Sequence, residues 1–490
     1  MNIAMLLQMA AEACPDRRAL TSGHDQLTYK QLFDAAGTAA ELIRASGCKY
    51  VSVLDTSSPA VPIALMGAAM AGVAYVPLNY RLTREQLDAL MARIAPVYLV
   101  VGETHQDVYK GVSRRSFLEA TLGTAPAETR WDEDASAVAV QLFTSGTTGA
   151  PKAALLRHEN LVSYILGTVE FMSAEEDEAT LVSVPPYHIA GISAVLSSMY
   201  ACRRVVQLPD FGAAMWLELA EHEGVTNAFV VPTMLSRIVD HLDTIEQKPH
   251  LGALRAIAYG GGKMPVQLIE KALALFPDVA FTNAYGLTET SSTIALLDPN
   301  DHREAFGSDD PTVRRRLGSV GKPLPSIELE IRDDAGKVLA ANEPGEIYVR
   351  GPQVSGEYLE RNARDADGWF PTRDAGYVDD EGYLYLSGRA DDVIVRGGEN
   401  ISPAEIEEVL MTHESIIEAA AVAIPSVEWG EAVGVAVVLR GGHDVTAHEL
   451  QQLVKTKLRS SRVPERILFV AELPYNETGK LLRRVLKTMF

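Results

Sequence analysis

Along most of the chain, apolar residues alternate between a helical period and short unbroken runs. Residues 29–43 carry Leu32, Phe33, Ala36, Ala40 and Ile43 three or four positions apart, which predicts a helix with one buried face. Residues 50–54, 97–101 and 138–143 are short apolar runs, as buried strands require. Helical spacing returns over 163–171, 189–200, 213–223, 233–242 and 266–275. Strand-like runs lie between or beside these helices at 180–184, 204–208, 227–231, 254–258 and 279–283. Strands alternating with helices over short links predict mainly parallel sheets covered by helices. One run, 59–78, holds no charged residue and is long enough to cross a bilayer. Its Pro59, Pro62 and Pro77, and its many Ala and Gly, predict instead a buried helix over 63–71 and a strand over 73–76. Stable membrane insertion is not expected.

The texture changes at residue 318. Strand-like runs at 328–332, 345–350 and 383–386 are separated by Asp-Asp-Ala-Gly, Glu-Pro-Gly and Asp-Asp-Glu-Gly turns, the pattern of a small antiparallel β unit. A last region follows, with helices at 403–412 and 447–459 and strands at 417–423, 433–439 and 467–470. The expected fold is α/β. Residues 1–388 form a large N-terminal domain of helix-covered, mainly parallel sheets, with 318–388 as its β-rich part, and 389–490 form a small α+β C-terminal domain.

A length of 490 residues exceeds one ordinary core, so two or three domains are expected. A hydrophobic fraction of 47% and a charged fraction of 22% are those of a water-soluble globular chain. The net charge of −21 argues against binding nucleic acid or anionic membrane. It also means that any phosphate ligand needs positive charge supplied locally. The cysteines, Cys14, Cys48 and Cys202, are far apart and form no Cys-x-x-Cys pair, so neither a disulfide framework nor a zinc site is implied. A reducing, cytoplasmic setting fits. Residues 1–14 have no basic residue ahead of their apolar part, so a signal peptide is not expected.

The chain's chemistry concentrates where the apolar run 138–143 stops. Thr144, Ser145, Gly146, Thr147, Thr148 and Gly149 follow, then Pro151 and Lys152. The glycines let backbone N–H groups turn toward one anion, the hydroxyls add donors, and Lys152 adds a full charge. No Lys-Ser or Lys-Thr stands where a Walker A loop would need it, which disfavours a P-loop NTPase. Composition alone also admits a surface loop. Further on, Tyr259 to Pro265 reads Y-G-G-G-K-M-P after a predicted strand. It fits either a flat ring lying on bare backbone or a plain strand-to-helix turn. In Asn283 to Glu289, N-A-Y-G-L-T-E, the lone Glu289 suits Mg²⁺, which takes one or two carboxylates and fills its shell with phosphate oxygens and water.

The segment T-S-G-T-T-G-x-P-K resembles the phosphate loop of the adenylate-forming superfamily, and Y-G-x-T-E at Tyr285 to Glu289 resembles a second motif of those enzymes. These are the acyl-CoA synthetases, beetle luciferase and the adenylation domains of peptide synthetases. The resemblance covers nearly the whole chain, with the motifs in family order, and is closest to the acyl-CoA synthetases. It implies that Thr144 to Gly149 and Lys152 bind the phosphates of ATP. Gly261, Gly262, Ala284, Tyr285 and Gly286 cradle adenine, Thr288 bonds a phosphate oxygen, and Glu289 holds Mg²⁺. Pro185-Pro186-Tyr187-His188 is similar to the aromatic-His segment of the acyl pocket, with His188 as a gate between carboxylate and thiol. Tyr187, His188, Gly191 and Val231 would be pocket walls. Asp374 would accept the ribose hydroxyls and Arg389 add a ribose or phosphate contact. Many members have Gly where this chain has Arg373. Asp391 falls at the hinge about which the C-terminal domain turns, Gly398 in the loop that lines the thiol tunnel, and Lys480, in P-Y-N-E-T-G-K, at the catalytic lysine.

The implied reaction makes an acyl-adenylate and pyrophosphate from a carboxylic acid and ATP, then an acyl-CoA and AMP. Its cofactors are ATP, Mg²⁺ and coenzyme A. No acidic residue lies between Pro185 and Ala201, where peptide-synthetase domains pair an amino group, so a plain fatty or aryl acid is expected rather than an amino acid. Small and apolar walls favour such an acid over a dicarboxylate. The alternatives are an acyl-AMP ligase loading a carrier protein, a luciferase-like oxidase and a catalytically silent nucleotide-binding regulator. A Rossmann dehydrogenase is disfavoured, because no G-x-G-x-x-G follows the first strand with an acidic partner downstream. Arg396, Lys455 and Arg459 are candidate contacts for the CoA phosphates. A monomer or homodimer is expected.

Overall fold

The computed structural model describes every residue except 124–125, 127–128, 145–150, 390–391, 397–398 and 476–480, and only the backbone of Arg389 and Asn400. The chain divides into two compact units. The first comprises Met1–Gly318, Lys322–Glu328 and Arg350–Phe370; the second comprises Ser319–Gly321, Leu329–Val349 and Pro371–Phe490. Most of the β-rich stretch, 329–349 and 371–388, groups with the C-terminal residues.

Two sheets build the first unit, one of nine strands and one of eight. In the nine-stranded sheet Arg18–Ser22, Arg204–Gln207, Ala179–Val182, Asn227–Val230, Ala256–Gly260 and Ala280–Leu287 lie side by side and parallel. Antiparallel strands close its edges. The eight-stranded sheet has Tyr50–Leu54, Ala74–Tyr75, Val97–Val101 and Val138–Thr144 in parallel contact, followed by the antiparallel strand Lys152–Arg157. These strands are covered on both faces, which is why they read as unbroken apolar runs. The proline-punctuated run forms the helix Ala60–Ala71, buried along its length and closed by Gly72 in the left-handed region. It packs against Tyr29–Ser46 so closely that a Cβ on Gly67 would come within 2.7 Å of the Ala39 methyl. Among the described residues no helix is long and apolar enough to cross a membrane.

The second unit holds a four-stranded and a five-stranded sheet. The long hairpin Ile416–Ser426 and Gly430–Leu439 sends Ala421, Ala423, Val433, Val435 and Val437 into one core. Their neighbours Ala420, Val422, Ile424, Ala436 and Val438 enter another. Both faces are buried, so no polar alternation marks these strands.

Candidate active site

Four of the expected site segments leave the C-terminal ends of four adjacent parallel strands. Pro185 to His188 follows Ala179–Val182, Val231 follows Asn227–Val230, Gly261 and Gly262 follow Ala256–Gly260, and Thr288 and Glu289 follow Ala280–Leu287. Ligands of open α/β sheets bind at this edge. Strand spacing of about 4.8 Å spreads the four segments over a length suited to a nucleotide plus an acid.

Close backbone approach explains the glycines. A Cβ on Gly260 would lie 2.2 Å from the Ala284 carbonyl oxygen, and one on Gly286 would lie 1.8 Å from that of Ser292. Gly286 sits at a bulge between Ala280–Leu287 and Ser292–Leu297, just after Tyr285, which is buried. Gly261 has φ +77°, where an L side chain is strained, and its open face looks at Val231 at 3.5 Å. The turn expected to cradle adenine and an expected pocket wall thus meet. Gly191 differs: a Cβ there would come within 2.9 Å of the Pro185 carbonyl oxygen, so its bareness accommodates the chain's own Pro185-Pro186 turn.

Glu289 lies in a single 3₁₀ turn, Thr288–Thr290, and is buried. Thr290 stitches this turn: its hydroxyl oxygen accepts from Leu287 N–H at 3.0 Å, and its O–H faces the carbonyls of Leu287 and Ser292 at 3.0 and 2.8 Å. Ser291 and Ser292 then have φ +57° and +114°. Such backbone costs free energy and persists where its surroundings fix it.

The expected phosphate loop joins two antiparallel strands, with Thr144 and Lys152 opposite each other. Ser145, Gly146, Thr147, Thr148 and Gly149 lie outside the described residues. The hairpin base is held by Arg93, which donates to the Pro151 carbonyl at 2.6 Å and lies over the Phe143 ring. Lys152 Nζ stands 5.8 Å from the centre of the Tyr358 ring. The Tyr358 hydroxyl donates to Glu289 Oε1 at 2.6 Å. Two residues singled out in sequence 137 positions apart (289 minus 152) therefore meet on a third that the motifs did not indicate. Tyr358 belongs to a two-residue strand paired to Ala154, too short for periodicity to reveal.

His188 begins the helix Ile189–Tyr200, its ring 4.5 Å from that of Tyr187, which also meets Tyr80 edge-on. Its Nε2 is buried and has no hydrogen-bond partner among the described residues. Burial, helped by the Arg81 guanidinium, lowers its pKa to about 4. The imidazole is thus neutral near pH 7, with one nitrogen unused.

In the second unit Asp374 is buried, and its backbone is directly across the strand pair from Arg389. The two expected ribose contacts are register partners. Arg373 has φ +62°, the conformation glycine adopts without cost, and its exposed side chain stands 3.7 Å from Glu346. Asp391, Gly398 and Lys480 lie outside the described residues. The chain on either side of residues 476–480 is pinned by a bridge between Tyr475 and Leu481 and by Leu482 N–H to the Pro474 carbonyl at 2.7 Å.

Residues 7–359 match the AMP-binding enzyme family model, and residues 405–480 match the AMP-binding enzyme C-terminal domain. The chain belongs to the AMP-binding enzyme family. It is 32% identical to 2-succinylbenzoate–CoA ligase of Bacillus cereus over 99% of its own length and 98% of that protein. Among solved structures, o-succinylbenzoate CoA synthetase from Bacillus subtilis, bound to its acyl-adenylate intermediate, superimposes with a TM-score of 0.84 at 29% identity, covering 98% of this chain and 97% of that one. Amide bond synthetase from Marinactinospora thermotolerans gives 0.87 at 26% identity, covering 100% and 99%. This family member is an adenylate-forming, AMP-releasing acid–thiol ligase.

Proposed function

We propose that the chain activates an aryl carboxylic acid as its acyl-AMP and passes the acyl group to CoA, with ATP, Mg²⁺ and CoA as cofactors. The carboxylate oxygen attacks the α-phosphorus of ATP. The bond from that phosphorus to the bridging oxygen breaks, and pyrophosphate leaves. The CoA sulfur then attacks the adenylate carbonyl, the carbon–oxygen bond to AMP breaks, and the thiol proton goes to solvent. The first barrier is electrostatic, mutual repulsion of anions and charge build-up at phosphorus, so fixed positive charge near the phosphates is its main requirement.

Lys152 with residues 144–149 takes the phosphates, Thr288 a phosphate oxygen and Glu289 the Mg²⁺. Tyr285, Ala284, Gly286, Gly261 and Gly262 take adenine, and Asp374 with Arg389 the ribose. Lys480 serves the first step, and the C-terminal part turns at Asp391 to bring the Gly398 loop to the thiol for the second. Glu289 fits magnesium: its buried carboxylate is held at Oε1 by the Tyr358 hydroxyl at 2.6 Å, and this ion takes one or two carboxylates and fills its shell with phosphate oxygens and water. When bound, Mg²⁺ neutralises phosphate charge. Its carboxylate is held and oriented by this chain before nucleotide arrives.

The acid assignment draws on two supports. The aligned relatives are named for 2-succinylbenzoate, which carries an aromatic ring and two carboxylates. At the sheet edge the Tyr187 ring and the neutral His188 offer flat, uncharged surfaces. We place the protein in the cytoplasm, as a monomer or homodimer. The observation that carries the proposal is the meeting of Glu289 and Lys152 on Tyr358. A panel of aryl, aliphatic and dicarboxylic acids scored for pyrophosphate release, with and without CoA, tests it. Acids bearing an aryl ring, aryl dicarboxylates included, should drive release, and AMP should turn over only with CoA. Absence of acid-dependent pyrophosphate exchange would overturn it; AMP release to a carrier protein but not CoA would reassign the acceptor.

A further inference from the structure

Accepting Glu289 as the magnesium carboxylate, we propose that Tyr358 is a positioning residue for the metal and the phosphate lysine together. Its hydroxyl fixes Glu289 Oε1 and thereby orients Oε2 toward the ion, while its ring holds the Lys152 ammonium.

A metal held by a single protein carboxylate depends on what holds that carboxylate, since no second protein ligand fixes its direction. Glu289 is buried, and the 2.6 Å bond from Tyr358 is in the range of a charge-assisted O–H···O⁻ contact. The same ring lies beside two cations, Lys152 Nζ at 5.8 Å and the Arg361 guanidinium at 6.0 Å from its centre. Both are within reach of its electron-rich face.

Tyr358 is itself clamped on each side. Before it, Gly356 N–H donates to the Glu289 carbonyl at 3.0 Å, the Ser355 hydroxyl donates to the Leu155 carbonyl, and Glu357 takes a two-pronged bond from Arg157 at 2.9 and 2.8 Å. After it, Leu359 N–H donates to the Ala153 carbonyl at 2.9 Å. The strand that begins at Lys152 is therefore the strand to which Tyr358 is tied. Metal carboxylate, phosphate lysine and tyrosine form one unit, with spacing set by backbone pairing.

The test uses the full chain and titrates ATP by calorimetry at a series of Mg²⁺ concentrations. Tyr358→Phe keeps the ring and removes the hydroxyl. It should raise the Mg²⁺ concentration at half-maximal tightening of ATP binding by about 10–100-fold. ATP affinity without Mg²⁺ and KM for the acid should stay at wild-type values, and excess Mg²⁺ should restore the adenylation rate. Tyr358→Leu should also weaken ATP binding without Mg²⁺, because Lys152 loses its support. A merely structural tyrosine would lower the melting temperature of Tyr358→Phe and leave the Mg²⁺ midpoint in place, and that result overturns the proposal. Glu289→Gln is the reference. If it too keeps the wild-type midpoint, the reading of Glu289 has failed and the proposal with it. If Glu289→Gln loses the midpoint while Tyr358→Phe keeps it, the role of Tyr358 alone has failed.

Discussion

At Gly286 a methyl group would occupy the place of a backbone carbonyl, 1.8 Å from the Ser292 oxygen, and no side-chain rotation relieves that. Gly286→Ala should therefore destabilise the fold by on the order of 3 kcal/mol, as overpacking does. It should also weaken ATP binding, because Tyr285 and Thr288 flank it; urea melts and nucleotide titration check both. His188 and His158 make a different kind of prediction. Burial holds each near pKa 4, and His158 Nδ1 accepts from Ile3 N–H at 3.2 Å, which fixes the neutral form. In the unfolded chain each takes a proton below about 6.5. Their contribution to stability is thus complete above pH 6.5 and is lost as pH falls toward 4. Stability measured against pH should slope upward through that window, and His188→Gln should flatten it by the share of one proton. For the same reason His188 should contribute no ionisation to the activity profile between pH 6 and 8. The type of each side chain was legible in the sequence. The neutrality of His188 was not, because it depends on what surrounds the ring.

The elements that sequence predicted well are strands made of continuous apolar residues and helices with one regular apolar face. Residues 204–208, 227–231 and 266–275 were legible because continuous or helically spaced apolar residues leave little choice, and the structure gives Arg204–Gln207, Asn227–Val230 and Val266–Leu275. The helix expected at 163–171 runs instead over His158–Thr168. Its first turn holds His158 and Asn160, polar residues that are buried because they bond to Ile3 and Pro352, so polarity hid the start. Lys152–Arg157 and Glu357–Tyr358 escaped for another reason: one begins and ends on a basic residue, directly after the Gly- and Thr-rich segment, and the other is only two residues long. Yet their pairing assembles the site. Arg157 reaches across it to Glu357, with side chains only 31% and 21% exposed. Arg157→Met should therefore cost about 2 kcal/mol, the worth of charged hydrogen bonds lost at a half-buried carboxylate. Because it loosens the strand carrying Tyr358, it should also raise the Mg²⁺ requirement; chemical denaturation and the same calorimetric titration check it.

On the scale of the molecule, the proposed reaction needs a lysine present for one step and removed for the next, and the C-terminal unit is built to make such a segment rigid at its root. Arg483, largely buried, bonds Glu407 at 2.7 Å and stands 3.6 Å from Asp392, the residue after the expected hinge. It also donates to the Ala421 carbonyl. One guanidinium thus ties the chain leaving residue 480 to the chain leaving residue 391. Removing it strands two carboxylates, so Arg483→Met should destabilise the unit by on the order of 3 kcal/mol and slow both half-reactions together. Substitutions at the proposed working residues should instead separate the steps. Lys480→Ala should abolish acyl-adenylate formation, because the charge opposing anion repulsion at the α-phosphate is gone, yet largely spare thiolysis of a supplied acyl-adenylate. Asp391→Pro should do the reverse, because proline fixes φ at the joint and blocks the turn to the thiolysis arrangement. Each half-reaction is measured alone, pyrophosphate release for the first and CoA-dependent AMP release for the second. Equal loss of both steps in Lys480→Ala would mean that a single arrangement serves both, and Asp391 would then have no joint to control.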